Sequence, residues 1–394
     1  MSKDVKNVPA LRFKGYSDAW EKRKLGELAE FINGRAYKQD ELLASGKYPV
    51  LRVGNFYTND KWYYSNLELP EKYYAEEGDL LYTWSATFGP HIWIGPKVIY
   101  HYHIWKVALK NIFEKDFALQ FFEADRVRLL NSTNGSTMIH VTKKDMESKG
   151  ILLPDVYEQR TIGDLLKRVD HLIAATQRRI DDLEQVEKTL LQHLFDQSWR
   201  FNVYSDPWVK SKVANMAKEN FGGGTPSTKK RSFWTGSLPW IQSSDLDKSN
   251  KYTVIPKKFI SSAALKSSAA KKVPSNSIAV VTRVGVGKLA FINYDYATSQ
   301  DFLSFSFLNW SAFFSVNLLT RVMEQMSNEG QGTSIKGVTK SELLAKSVLI
   351  PTSLEEQISI GNLLKSFDDL IKSTSNRLSK LELLKTSLLK NLFV

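Results

Sequence analysis

Two stretches of this chain share one hydrophobic rhythm. Apolar residues fall at alternating steps of four and three at Ile162, Leu166, Val169, Ile173, Ile180, Leu183, Leu190 and Leu194, with Thr176 and Glu187 filling the two remaining steps. Ile360, Leu364, Phe367, Ile371, Leu378, Leu381, Leu388 and Leu392 repeat the steps, with Thr374 and Lys385 in the polar slots. Such steps put every member on one helix face, and a rhythm kept over this length is that of a coiled-coil seam. Pro154 and Pro351 stand upstream, where a chain enters a helix, and neither stretch contains a proline. At ~1.5 Å per residue each helix is expected to run roughly 50 Å. One stripe alone would fit an ordinary amphipathic helix on a globular core. Two matched stripes predict helices that pack on each other.

The stripes belong to a longer internal repeat. Between Glu158–Phe195 and Glu356–Phe393, 18 of 38 positions are identical, including Asp170 with Asp368, Arg179 with Arg377 and Phe195 with Phe393. Upstream the match loosens. Trp20-Glu-Lys-Arg-Lys-Leu25 echoes Trp208-Val-Lys-Ser-Lys-Val213, and Tyr48-Pro-Val-Leu-Arg52 echoes Leu238-Pro-Trp-Ile-Gln242. Each half is therefore a variable front portion followed by a well-matched helix. The front portions read as mixed and mainly β, with β-rich runs at Val98–Leu109 and Ser277–Arg283. The segments Asp116–Leu130 and Ser311–Met326 read as helical. The expected order is a tail over 1–19, a front portion over 20–153, a helical segment over 154–197, a linker over 198–207, a second front portion over 208–350 and a second helical segment over 351–394. The fold class is α+β.

Composition narrows the function. There are no cysteines, so disulfides, thiolate metal sites and a cysteine nucleophile are excluded. No apolar run approaches the ~18 residues of a membrane span. Met1–Ala10 lacks the apolar core of a signal peptide, so a cytoplasmic protein is expected. The net charge is +12, a balance that attracts polyanions. The helices do not carry it: residues 158–195 hold 6 Lys and Arg against 7 Asp and Glu, and residues 355–394 hold 6 against 5. The front portions and flanks hold the excess, as phosphate-gripping domains on a neutral spacer would.

The chain lacks the common catalytic motifs. Gly285-Val-Gly-Lys288 is without the spacing and hydroxyl of a phosphate-binding loop and reads as a β-turn. There is no Pro-Pro for an amino-methyltransferase motif. No Asp/Glu-x-Lys follows Pro154-Asp155 to complete a nuclease constellation, and Asp155 reads as part of the turn into the helix. His101 and His103 alternate on an expected strand and would share one face, but no carboxylate partner makes a metal site there. His171 and His193 sit on the helices.

The doubled Pro…Glu-Gln-x-x-Ile-Gly…Leu…Asp…Ile…Arg…Leu signature, with one extra residue between Pro351 and its Glu-Gln pair, together with Trp20-Glu-Lys-Arg-Lys-Leu-Gly-Glu-Leu28 and Gly78-Asp-Leu-Leu81, resembles the specificity subunit of type I restriction–modification systems. The resemblance runs over nearly the whole chain, specific in the helices and in outline elsewhere. It implies two target-recognition domains on helical regions packed as an antiparallel coiled coil with pseudo-two-fold symmetry. Each domain would read half of a split double-stranded DNA target, and the helices would set the spacer. It implies two modification (methyltransferase) subunits and restriction (translocase and nuclease) subunits as partners. The chain itself would carry no catalysis and no cofactor. S-adenosylmethionine, ATP and magnesium would belong to the partners, whose complex would act as an adenine-specific DNA methyltransferase and endonuclease. One feature speaks for parallel helices instead: Glu187 and Lys385 would then face each other, whereas antiparallel packing puts them at opposite ends of the seam.

Base readout needs paired donors and acceptors, and phosphate contacts need cations or small hydroxyls. Candidate DNA-contacting residues fall in loops that correspond between the halves. Arg35, Tyr37 and Lys38 match Thr225, Ser227, Lys229, Lys230 and Arg231. Arg52 and Asn55 match Gln242 and Asp245, with Ser243 beside them. Ser85 and Thr87 match Arg283. Asn134, Ser136, Thr137, Lys143 and Lys144 match Gln331, Thr333, Ser334 and Lys336. Two alternatives stay open on the residues alone: a coiled-coil scaffold whose basic domains bind RNA or protein, and an enzyme fused to a reader.

Overall fold

The computed structural model describes residues 7–57, 59–85, 87–132, 141–329 and 337–393. The chain divides into two compact units, residues 1–175 with 378–394, and residues 176–377. Each long helix is thus shared. The first runs over Val156–Phe195 and the second over Leu354–Leu392. Both are longer than the seam predicts, about 60 Å at 1.5 Å per residue, because each begins a turn and a half before its first seam residue. Asp155 starts the first, its Oδ1 accepting the backbone N–H of Tyr157 and Glu158. Ser353 serves the second, accepting the N–H of Glu356.

All twenty seam positions are buried or half-buried, while most residues between them are exposed. In the first unit Lys385 ion-pairs with Asp170 at 2.6 Å, and Gln120 donates to the other Asp170 oxygen at 2.7 Å. Phe393 packs on Phe117, whose backbone N–H lies against Gly163. In the second unit Lys251 bridges Glu187 and Asp368 at 3.2 Å each, and Phe195 stacks on Phe314, which lies against Gly361. Within each unit, then, the beginning of one helix lies beside the end of the other, which is antiparallel packing. Glu187 and Lys385 do not need each other. Each faces the aspartate of the opposite helix, directly for Lys385 and through Lys251 for Glu187.

The signature residues explain themselves as packing. Glu158 has 1% of its side chain exposed and accepts two bonds from the Arg12 guanidinium, at 2.8 and 2.7 Å, and one from the Trp20 indole at 3.1 Å. Glu356 does the same with Arg200, at 2.7 Å twice, and Trp208 at 3.1 Å. Gln159 ties the backbone of Ile112, Glu114 and Pro154, and Gln357 that of Ser311 and Pro351. A Cβ on Gly163 or Gly361 would meet the backbone nitrogen of Phe117 or Phe314 at 2.9 or 2.5 Å, so glycine is what lets the two helices touch. The repeat also reaches further upstream than Trp20 and Trp208. Arg12–Asp18 and Arg200–Asp206 share five of seven residues, and Tyr16 and Tyr204 bond Thr161 and Ser359 alike. Leu11 N–H donates to Asn391 O at 2.9 Å, the counterpart of Trp199 N–H to His193 O at 3.1 Å.

The front portions are sheets on that frame. The first has a four-stranded sheet of Ala29–Asn33, Ile104–Leu109, Leu80–Thr83 and Gly89–Ile92, and a second of Tyr63–Ser65, Tyr48–Leu51, Val98–Tyr100 and Tyr74–Ala75. The second repeats this with Ala217–Gly222, Phe302–Leu308, Ser277–Val281 and Leu289–Ile292, and with Lys258–Ile260, Leu238–Ile241 and Ala297–Thr298. The helices Lys115–Ser132 and Ala312–Glu329 fall where expected. The run Val98–Leu109 is not one strand. Val98–Tyr100 pairs in one sheet and Ile104–Leu109 in the other, so His101 and His103 sit on the turn that changes sheets rather than on a strand face. Gly285 and Gly287 have φ of +88° and +92°, as the β-turn reading requires.

The bridge at Lys251 predicts a pH effect. Burial raises the Glu187 and Asp368 carboxyls above their usual range, and Lys251 opposes this. A carboxyl raised on folding makes the protein more stable as pH falls through its folded value, and less stable as pH rises. Lys251→Met removes the opposing charge. Its melting temperature should fall well below the parent's at about pH 8, and the gap should narrow toward about pH 5. A gap of constant size across that range would contradict the account.

Candidate nucleic-acid interface

The candidate residues lie on the connections of the two front portions, but many are already engaged. Arg35 bridges beside His101, and its guanidinium forms a two-pronged pair with Glu41 at 2.9 and 2.7 Å and stands 5.2 Å from the Tyr37 ring centre. That pair holds the Glu41 carboxyl down at about 2. Tyr37 is half-buried and stacked near His101, and burial raises its phenol. Lys38 is exposed at the head of the turn Gln39–Glu41.

Arg52 and Asn55 occupy the same turn as Gln242 and Asp245, directly after the strand that pairs in parallel in each unit. The Asn55 oxygen accepts the Arg52 N–H at 3.0 Å, and Asp245 accepts the Gln242 N–H at 3.0 Å. Asn55 Nδ2 is spent on the carbonyls of Asn59 and Lys61. Arg52 lies 5.2 Å from the Tyr63 ring centre. Gln242 donates to Ser244 and accepts from Lys258 at 3.2 Å, and Ser243 O accepts from Lys288. The correspondence read from sequence therefore holds in space, yet Asn55 and Asp245 shape the turn.

Ser85 is half-buried and Thr87 exposed. Lys143 and Lys144 begin the short helix Lys143–Ser148, Lys143 paired with Glu147 at 3.5 Å and Lys144 exposed. In the second unit Thr225 donates to Gln300 at 2.9 Å, the Ser227 carbonyl takes the Trp234 indole N–H at 3.1 Å, and Lys229, Lys230 and Arg231 are exposed, as is Arg283. Asn134, Ser136, Thr137, Gln331, Thr333, Ser334 and Lys336 lie outside the described residues.

Sequence reasoning missed an aromatic group beside the first unit's loops. Trp84, His101, Tyr102 and His103 cluster with ring centres 3.9 to 6.2 Å apart, and Trp84 donates to the Tyr102 carbonyl at 2.9 Å. Burial lowers His101 to about 4, so its imidazole is neutral at physiological pH and offers one donor and one acceptor. His91, stacked on Phe56 at 4.1 Å, is lowered to about 4 by the same cause. Tyr-His-Tyr-His in the sequence was the available signal. Among the described residues no group of three or more His, Cys, Asp or Glu could hold a metal ion. No described helix is long and apolar enough to cross a membrane.

The family model for the type I restriction modification DNA specificity domain matches residues 17–185 and 205–383. The chain is 29% identical over 198 residues to the type I restriction enzyme MjaIX specificity subunit of Methanocaldococcus jannaschii, a match taking in 48% of this chain and 44% of that one. It thus spans less than half the length of that relative. It is 22% identical over 387 residues to the EcoR124I/EcoR124II specificity subunit of Escherichia coli, covering 94% and 85% of the two chains. A crystal structure of a type I restriction-modification S subunit from M. genitalium superposes with a TM-score of 0.66 over 98% of this chain and 99% of that one, at 14% identity. That likeness is one of fold.

The turn assignment can be checked. Asn55→Ala should cost about 1 kcal/mol in chemical denaturation, as loss of a backbone-capping side chain does. Asn55→Asp keeps the acceptor and should recover most of it. Equal losses in both variants would instead point to the amide donors as the group that matters.

Proposed function

The chain belongs to the type I restriction modification DNA specificity family, and we propose that it is the non-catalytic subunit that chooses the DNA target. Its recognition domains, residues 20–153 and 208–350, each read one half-site of a bipartite duplex sequence. Residues 154–197 and 351–394 act as the ruler between them, with 198–207 as linker and 1–19 leading in. Two modification subunits dock on this frame and restriction subunits join it. S-adenosylmethionine, ATP and magnesium belong to those partners, which methylate adenine and cleave.

One observation carries the reading. The two copies agree where they pack, at Glu158/Glu356, Gln159/Gln357 and Gly163/Gly361, and differ where their loops are exposed, as at Lys38 against Lys229–Arg231. Two readers of different half-sites on one duplicated frame need that distribution. An RNA-binding scaffold has no need of two differently lined copies.

Methylation mapping in a host expressing the complex tests this. Replacing residues 20–153 with another such domain should change one half of the methylated sequence and leave the other. Adding a heptad within 160–195 should change the spacing alone. The division of labour fails if half-site identity moves with the helix.

A further inference from the structure

The excess positive charge is not shared between the recognition domains. Residues 20–153 hold 18 Lys and Arg against 17 Asp and Glu, whereas residues 208–350 hold 19 against 8. The difference concentrates in one lobe, Gly223–Lys272, where 10 cations meet 2 carboxylates; the equivalent stretch 34–75 has 6 against 5.

That lobe is a built object. Strands Leu238–Ile241 and Lys258–Ile260 pair antiparallel, and the helix Ser262–Ser267 is tied to the turn Arg231–Trp234 by Ser261, which donates to the Phe233 and Ser232 carbonyls at 2.9 Å each. Phe233, Trp240, Ile260, Ala264 and Ala270 fill its core. Of its ten cations Lys251, Lys257 and Lys272 face carboxylates, and the other seven are in no ion pair with a described residue. Among those seven, Lys229, Lys230, Arg231, Lys258, Lys266 and Lys271 are all exposed. Lys230 and Lys258 lie over aromatic rings, Lys230 at 4.4 Å from Phe233 and Lys258 at 5.6 Å from Trp240, which splints their stems without neutralising their charge. In the equivalent stretch of the first unit Arg35 is paired with Glu41 and Lys47 with Glu68, which leaves Lys38, Arg52, Lys61 and Lys72 outside any ion pair with a described residue, four cations against the lobe's seven. Matched charges release few counterions on meeting phosphate; unmatched ones release most.

We propose that the Gly223–Lys272 lobe is the protein's main sequence-independent anchor on duplex DNA, a phosphate-backbone clamp, and that the first recognition domain adds less charge-driven affinity. Its near-neutral surface, with the Trp84–His101–Tyr102–His103 group, is suited to base edges and sugar instead. This rests on the DNA-reading function above and goes further by dividing grip from reading.

The test is the salt dependence of binding by the full chain to a random-sequence duplex several helical turns long. Lys229→Gln, Lys230→Gln and Arg231→Gln together should lower the slope of log K against log salt by roughly two to three, at about 0.9 for each phosphate left without its cation. Arg35→Gln and Lys47→Gln together, cations already held by Glu41 and Glu68, should lower it by less than about one. Should the first triple variant melt early, Lys266→Gln with Lys271→Gln carries the test, with an expected drop of roughly one to two. Equal drops in both domains overturn the proposal. So does an unchanged slope in the second-unit variants while duplex binding persists, and that result leaves the DNA-reading function standing. Failure of the parent chain to bind any duplex at low salt overturns both.

Discussion

A carboxylate buried at the first turn of each long helix organises everything around it. Glu158 and Glu356 are removed from water, and an unpaired charge there would cost several kcal/mol, so each is matched by a guanidinium and an indole. The helix N-terminus favours the negative charge as well. Meeting that demand brings together pieces far apart in the chain: the segment before each front portion, its opening tryptophan and the helix that follows it. The neighbouring Gln then fixes the loop ahead of the helices Lys115–Ser132 and Ala312–Glu329, and the glycine lets them close on the long helix. The strongest sequence signature in the chain is thus a joint, and the variable sheets hang from it.

The seam was legible because helical geometry repeats the same demand every three or four residues, so no single contact has to be guessed. All twenty positions are at least half-buried. The joint was half legible. Glu-Gln-x-x-Ile-Gly stood out, but Arg12 and Arg200, which complete it, lie in segments read as a tail and a linker, although Arg-Phe-x-x-Tyr-Ser-Asp was there to be matched. Lys251 was invisible, because its partners lie on both helices and nothing local marks it. The sheet change at His101 to His103 was missed for a similar reason. A β-rich run says that residues are extended, not which neighbour they pair with.

In the loops, residue type predicted position and overstated availability. Asn55 and Asp245 were singled out with their neighbours as polar residues on exposed turns, and they hold those turns together. Arg35 is clamped by Glu41. Chemistry that suits a base edge also suits a backbone amide, and only the folded chain says which one is within reach. Lys229 and Lys230, by contrast, are exposed and in no ion pair with a described residue, so their charge stays available.

The division of the long helices has a consequence for the order in which the protein takes shape on the ribosome. Residues 176–377 are continuous, so the second unit has all its parts once they have emerged. The first unit begins to emerge earlier, but the core around Phe117 and Phe121 is capped by Leu389, Leu392 and Phe393, which are synthesised after the whole second unit. Translation usually lets the N-terminal domain fold first. Here that domain is started first and finished second, and its apolar face waits open through the synthesis of its twin.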